Sequence, residues 1–77
     1  MPHISVKMID GRSEEHKKEL AKALEKALTD TLGCSSQWVT VSIEDFNGKE
    51  WQEVFKNDIE GSGHLYKKPQ YDPKILL

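Results

Sequence analysis

Residues 2–9, PHISVKMI, decide the fold, because apolar and polar side chains alternate along them. A period of two is typical of a strand that buries one face. The buried face would carry Ile4, Val6 and Met8. Residues 38–45, WVTVSIED, repeat the alternation and predict a second strand of similar length.

A helix is predicted between the two strands. Ser13 is a favourable N-cap, and Glu14 and Glu15 suit the positive end of a helix dipole. The buried stripe would consist of leucines that recur every four residues, namely Leu20, Leu24, Leu28 and Leu32. Gly33 is placed to end the helix in the left-handed conformation. A strand, a helix and a second strand in this order fit a crossover unit with parallel strands.

Helical spacing returns in residues 49–60, where a short second helix would bury Trp51, Val54, Phe55 and Ile59 on one side. Residues 61–63, GSG, would end this helix, and residues 64–69 would add a brief edge strand. We therefore predict the α/β (α+β) class and a single domain over residues 1–77. It would be a small β-α-β unit with parallel strands, a short second helix and a short C-terminal edge strand. Because so thin a unit is marginally stable alone, we expect it to assemble as an oligomer.

Composition excludes several classes of function. Charged residues make up 31% of the chain at a net charge of −2, which gives no basic field for nucleic acid. No apolar run suits a membrane span or an export signal, so we expect a cytoplasmic protein without membrane partners. The single cysteine is Cys34, and the histidines, His3, His16 and His64, are scattered. We expect no disulfide, no metal site and no cofactor.

Pro2 follows the initiator Met1 directly, at the head of the first predicted strand. Within a chain, the proline nitrogen is a tertiary amide without a titratable lone pair. Cellular processing normally removes methionine before a residue as small as proline, and the mature chain would then begin with a free secondary amine. Pro2 is therefore a candidate catalytic base.

Several of these features together resemble the 4-oxalocrotonate tautomerase family: Met1-Pro2, the turn DGRSEE at residues 10–15, the amphipathic helix and the second strand. The resemblance covers nearly the whole chain. Residues 49–52, KEWQ, and 67–71, KKPQY, are similar to the dimeric PptA-like bacterial subgroup. The resemblance implies a small tautomerase-like domain that acts on small molecules without a cofactor, as dimers or hexamers. The subgroup favours a homodimer over a hexamer.

The resemblance also implies roles for single residues. Pro2 corresponds to the family's general base, and Trp51 to the aromatic residue that lines its pocket, with Phe55 beside it. Arg12 corresponds to a substrate-binding arginine, although a solvated turn residue is an equally good reading of this position. Thr40 stands where the family has a second arginine. The implied substrate is an enol of a 2-oxo acid with an apolar or aromatic side, rather than a dicarboxylate.

The implied activity is that of a keto-enol tautomerase, an isomerase of the intramolecular oxidoreductase class. An extended strand from Pro2 to Ile9 spans about 23 Å, so Arg12 would have to reach Pro2 of a second subunit. We expect no catalytic role for His3, because alternation turns its side chain away from that of Pro2. Two alternatives stay open. One is a non-catalytic oligomeric binding protein of the same fold that keeps Met1, and the other is a hydratase or dehalogenase relative.

Overall fold

The computed structural model describes residues 1–77 and contains two strands and two helices in alternation. They are β1 (His3–Ile9), α1 (Glu14–Leu32), β2 (Thr40–Phe46) and α2 (Gly48–Val54). Three short elements complete the chain: a 3-10 turn at Ser36–Trp38, a π-helical segment at Phe55–Glu60 and a 3-10 turn at Pro73–Leu76.

The sheet consists of β1 and β2 in parallel, with His3 opposite Thr40 and Ile9 opposite Phe46. Side chains alternate between partly covered and exposed along most of each strand, as expected for a sheet with one covered face. Helix α1 packs on the covered face, where the Lys17 ammonium donates to the Asp45 carboxylate at 2.7 Å. The predicted parallel β-α-β unit is therefore confirmed.

Local capping explains the bounds of α1. The Ser13 hydroxyl accepts a hydrogen bond from the His16 backbone N–H at 3.1 Å, which satisfies one of the free donors of the first turn. At the other end Gly33 adopts φ 70°, and its N–H donates to the Thr29 carbonyl at 2.8 Å. Left-handed φ values favour glycine, so the predicted end of the helix is confirmed.

Strand β2 begins two residues later than predicted. Ser35 caps a 3-10 turn, and the Val39 N–H donates to the Ser36 carbonyl at 3.1 Å. This turn takes up Trp38, which is 45% exposed. The alternation at Trp38 and Val39 reads as strand, but the serine cap closes a turn there instead.

The core lies on the face of the sheet opposite α1, at the C-terminal ends of both strands. Only Trp51, Val54 and Phe55 are buried, and four partly buried residues pack against them: Ile9, Phe46, Ile59 and Leu76. So small a core leaves much of the apolar surface of one chain in water.

Helix α2 is held at its N-terminal end by specific contacts. Asn47 and Glu50 form a capping box with two hydrogen bonds of 2.8 Å. Gly48 lies so close to the carbonyl oxygen of Leu76 that an added Cβ would sit 1.8 Å from it. The chain then continues without a break into the π-helical segment, so the predicted second helix is confirmed with an unexpected last turn.

The predicted C-terminal edge strand is wrong. Residues 64–69 form no strand, and the sheet has two strands only. Side-chain contacts hold the following residues against α2 instead: the Trp51 indole N–H donates to the Tyr71 hydroxyl at 3.0 Å, and the Gln52 amide donates to the Pro73 carbonyl at 2.9 Å. The tail is thereby pinned to a helix rather than to a strand edge.

None of the helices combines the length and the hydropathy needed to cross a bilayer.

Candidate active site

The residues predicted for the site fall at two ends of the sheet within one chain. Pro2 lies at the N-terminal end, where its carbonyl accepts a hydrogen bond from the Thr40 N–H at 3.3 Å. Trp51 and Phe55 lie at the C-terminal end, and Arg12 follows that end of β1. Seven strand residues separate the ends, which corresponds to about 20 Å.

Thr40 makes two contacts with the start of the chain. Its backbone N–H holds the Pro2 carbonyl, and its Oγ1 lies 2.7 Å from Nδ1 of His3. Met1 contributes little here, since it is 93% exposed. Pro2 is therefore positioned through its carbonyl and its strand, while its nitrogen takes no part in holding it.

The face that α1 does not cover is open and polar at this end. Two cross-strand pairs form it, His3 with Thr40 and Ser5 with Ser42, and all four residues are exposed. The next pair is Lys7 with Glu44. No carboxylate lies on this face within the first two cross-strand pairs from Pro2.

Lys7 connects this open face to the π-helical segment. Its ammonium donates a hydrogen bond to the Asp58 carboxylate and lies 5.9 Å from the centre of the Phe46 ring. The hydrogen bond with Asp58 raises the pKa of Lys7 above its ordinary value, and the nearby charges of Asp58 and Glu44 add to that shift. The lysine is thus paired and is not a free cation for a ligand.

Arg12 lies on the side of α1, beyond the C-terminal end of β1. Its guanidinium donates to the Ile9 carbonyl at 3.1 Å. Together with Met8, His16, Lys17 and Leu20 it lines a cleft of about 220 Å³. Hydrogen bonds to Asp45 and then to Glu14 raise the pKa of Lys17, and these two carboxylates pair its charge. The Arg12 guanidinium forms no ion pair, so it is a cation that this cleft offers to a ligand. An anionic group would be favoured there.

Trp51 and Phe55 form part of the core within one chain. They are 8% and 5% exposed, and each makes an edge-on aromatic contact, Trp51 with Phe46 at 6.3 Å and Phe55 with Tyr71 at 5.6 Å. Little of either ring is open to a ligand in this chain. Their assignment as a pocket wall beside Pro2 stays a prediction that needs a second chain.

The site that one chain builds by itself thus contains Pro2, His3 and Thr40. The chain brings neither Arg12 nor Trp51 to the same end of the sheet. The separation agrees with the expectation that a complete site would draw Arg12 from another subunit. No three His, Cys, Asp or Glu side chains lie close enough together to hold a metal ion.

Sequence reasoning missed the contact between His3 and Thr40. It considered His3 only relative to Pro2 on the same strand, where alternation separates the side chains. Parallel pairing places His3 and Thr40 opposite each other on one face, and the same alternation could have shown this once a register was assumed.

Comparison with known proteins agrees with the fold and identifies a family. The family model described as "Tautomerase enzyme" matches residues 2–53, so the match begins at Pro2. A probable tautomerase of Xylella fastidiosa is 45% identical over 73 residues, which cover 92% of this chain and 89% of that protein. A 2-hydroxymuconate tautomerase of Bacillus subtilis is 38% identical over 45 residues, 58% of this chain and 73% of that protein.

Solved structures give the same result. The crystal structure of TomN, a 4-oxalocrotonate tautomerase homologue of the tomaymycin biosynthetic pathway, superimposes with a TM-score of 0.62 at 34% identity, over 65% of this chain and 77% of that one. Membership of this family implies a small-molecule substrate and oligomeric assembly. With its parallel β-α-β unit and a family match over residues 2–53, the chain belongs to the 4-oxalocrotonate tautomerase family and is a tautomerase, an isomerase.

Proposed function

We propose that the protein is a cofactor-independent keto-enol tautomerase in which the amine of Pro2, freed by removal of Met1, acts as base and then as acid. The observation that carries the proposal is the place of Pro2. It directly precedes β1 and begins the stretch that matches the tautomerase family, and Thr40 holds it by its carbonyl. The Pro2 nitrogen takes no part in this contact and can act as the base once Met1 is removed.

The reaction moves one proton within an enol of a 2-oxo acid. The amine takes the proton of the 2-hydroxyl group, and the electrons of the broken O–H bond form the new C=O bond. The electrons of the C=C bond then form a C–H bond with the proton that the ammonium returns. Because the Pro2 amine returns the proton that it removed, the reaction needs no cofactor.

A secondary amine works as a base only where its neutral form is populated near neutral pH. Burial and neighbouring positive charge both disfavour the ammonium form. The Arg12 guanidinium of a second subunit would supply such charge. It would also bind the carboxylate of the substrate, for which a guanidinium is well shaped.

The proposed substrate is an enol of a 2-oxo acid with an apolar or aromatic side. Thr40 supports this choice, because a neutral hydroxyl stands where the family carries a second arginine. The single Arg12 guanidinium suits one carboxylate, and the first two cross-strand pairs of the open face offer no lysine or arginine to a second one. Trp51 and Phe55 of a neighbouring subunit are the proposed apolar wall.

We further propose that the protein is a homodimer of the PptA-like subgroup, which the KEWQ and KKPQY segments support. We also propose that it is located in the cytoplasm. Cell fractionation and size-exclusion chromatography with light scattering test the two parts separately. The hydratase or dehalogenase alternative has weaker support, because no carboxylate that could activate water lies near Pro2 on the open face.

The experiment combines intact mass with turnover. We expect mass spectrometry of the protein from its own host to show loss of Met1. We expect Pro2→Ala to reduce turnover of an enol of an aromatic 2-oxo acid by about 10²–10⁴-fold, the range for a general acid-base group. Wild-type melting temperature in this variant is the control for folding. Uniform retention of Met1, or full turnover by Pro2→Ala, contradicts the proposal.

A further inference from the structure

The N-terminal end of the open face carries one specific side-chain contact. His3 Nδ1 and Thr40 Oγ1 lie 2.7 Å apart, between residues that are directly opposed in the sheet. The Thr40 N–H also donates to the Pro2 carbonyl at 3.3 Å. One residue of β2 therefore fixes both the backbone of Pro2 and the ring of its neighbour.

The contact restricts what the imidazole can offer. A hydroxyl can donate or accept, while a neutral imidazole has one donor and one acceptor nitrogen. When Thr40 Oγ1 donates to Nδ1, the hydrogen of the ring sits on Nε2. Nε2 makes no hydrogen bond within the chain, and the His3 side chain is exposed on the open face. In this tautomer a donor is available one residue from the proposed base.

We propose that His3 Nε2–H donates a hydrogen bond to the 2-oxygen of the substrate, and that Thr40 is a positioning residue that holds the ring in this tautomer. The inference rests on the proposed function, because it needs a substrate at Pro2. It differs from that function in assigning roles to His3 and Thr40, neither of which the tautomerase reaction requires by itself.

The hydrogen bond from His3 acts when negative charge develops on the 2-oxygen of the substrate. While the proton resides on the Pro2 amine, the 2-oxygen carries negative charge, and a hydrogen bond from Nε2–H is stronger then than in the bound enol. Interactions that strengthen in the transition state raise kcat rather than only lowering KM. His3 neither gains nor loses a proton in this scheme, and the proton balance of the reaction is unchanged.

The nearest charged side chains on the face of His3 lie two cross-strand pairs away. The charged groups on the same face are Lys7 and Glu44, with Asp58 of the π-helical segment bound to Lys7. From His3 to Lys7 the strand covers four steps, or about 13 Å, which exceeds the screening length at physiological salt. A neutral donor at this position also fits a substrate with one carboxylate, because it offers no fixed charge to a second one.

Four variants test the assignment by steady-state kinetics on an enol of an aromatic 2-oxo acid. His3→Phe removes the donor and keeps a ring, and we expect kcat to fall about 10–100-fold with KM nearly unchanged. His3→Gln keeps an N–H donor and should lie between wild type and His3→Phe. Thr40→Val removes the hydroxyl and keeps the shape, and we expect a loss of about 3–10-fold. Thr40→Ser should restore most of that loss.

The double variant separates positioning from packing. If Thr40 acts through His3, His3→Phe combined with Thr40→Val is no slower than His3→Phe alone, whereas independent effects would multiply. Ser42→Ala is the matched control, since it removes a hydroxyl from the next cross-strand pair of the same face. Its kcat should equal that of wild type.

Three outcomes would overturn the inference: a kcat for His3→Phe within twofold of wild type, equal kcat for His3→Gln and His3→Phe, or multiplicative losses in the double variant. Pro2→Ala distinguishes this failure from failure of the proposed function. If Pro2→Ala abolishes turnover while His3→Phe leaves it intact, only the roles of His3 and Thr40 are wrong.

Discussion

At the C-terminal end of the sheet, Ile9 and Phe46 pack against the closed cluster of Trp51, Val54 and Phe55. At the N-terminal end, Pro2 precedes β1 and His3 lies on the open face, and both depend on Thr40. The two ends belong to the same pair of strands, yet one holds the buried residues and the other the proposed chemistry. We infer that the stability of a single chain depends mainly on the C-terminal end, and the following variants test that inference.

The largest expected effect on stability is at the C-terminal end. Phe55→Ala removes a ring that is 5% exposed and packs on Tyr71, and we expect a loss of about 3–5 kcal/mol in the free energy of unfolding. Chemical denaturation measures it. Trp38→Ala is the control, because Trp38 is 45% exposed and should cost far less. Equal losses in the two variants would show that the cluster is not the main core.

A smaller loss is expected where the tail meets α2. Gly48→Ala would place a Cβ 1.8 Å from the Leu76 carbonyl oxygen, so the C-terminal turn must move. We expect a cost of about 1–3 kcal/mol, as for other overpacked sites. Gly63→Ala is the matched control, since its Cβ would meet nothing within 4 Å. A Gly48→Ala protein as stable as Gly63→Ala would mean that the tail does not pack on α2.

The capping box should contribute less to the free energy of unfolding than the packing of the tail on α2. Asn47→Ala removes the Oδ1 that accepts from the Glu50 N–H at 2.8 Å, and we expect a loss of about 1 kcal/mol from thermal unfolding. Asn57→Ala is the control, because its side chain makes only a long contact of 3.4 Å with Glu53. A cost for Asn57→Ala that matches that of Asn47→Ala would contradict the role of the cap.

The smallest effect concerns the ion pair that joins the open face to the π-helical segment. The pKa of Lys7 is raised from 10.5, chiefly by its hydrogen bond with Asp58. A raised lysine pKa stabilises the fold fully below the unfolded value and loses that contribution as pH rises through the folded value. The difference in melting temperature between wild type and Lys7→Met should therefore shrink above about pH 10.5.

Lys22→Met is the control for that experiment, since Lys22 is exposed on α1. It should show no such difference at any pH in the series. A difference for Lys7→Met that persists unchanged at alkaline pH would show that the lysine stem, and not the ion pair, is responsible.

The sequence predicted the parts of the fold that depend on neighbouring residues. The span of α1 followed from Ser13 and Gly33, and the strands followed from alternation, because caps and periodicity act within a few residues. The start of β2 was missed by two residues, since the Ser35 turn competes with the strand pattern locally. The predicted edge strand at 64–69 was wrong, because strand pairing depends on where the tail packs. The contacts of Trp51 with Tyr71 and of Gln52 with Pro73 hold the tail against α2.

In the candidate site, too, local features could be predicted from the sequence and contacts between distant residues could not. The candidate role of Pro2, which stays a prediction, was readable from its position in the chain and from the family resemblance. The contact of His3 with Thr40 was not, because it joins residues 37 positions apart through the register of the sheet. The separation of Trp51 from Pro2 depends on which end of the sheet α2 covers, and no local pattern specifies this.

The hold on Pro2 through its carbonyl has a consequence for maturation. Met1 is 93% exposed, and the Thr40 contact does not involve the Pro2 nitrogen, so removing Met1 changes the chemistry of that nitrogen without disturbing the strand. On the proposed mechanism the removal of Met1 makes the chain active and needs no rearrangement of the fold. A protein carrying an N-terminal fusion would then be folded but silent, with its activity recovered once a protease exposed Pro2.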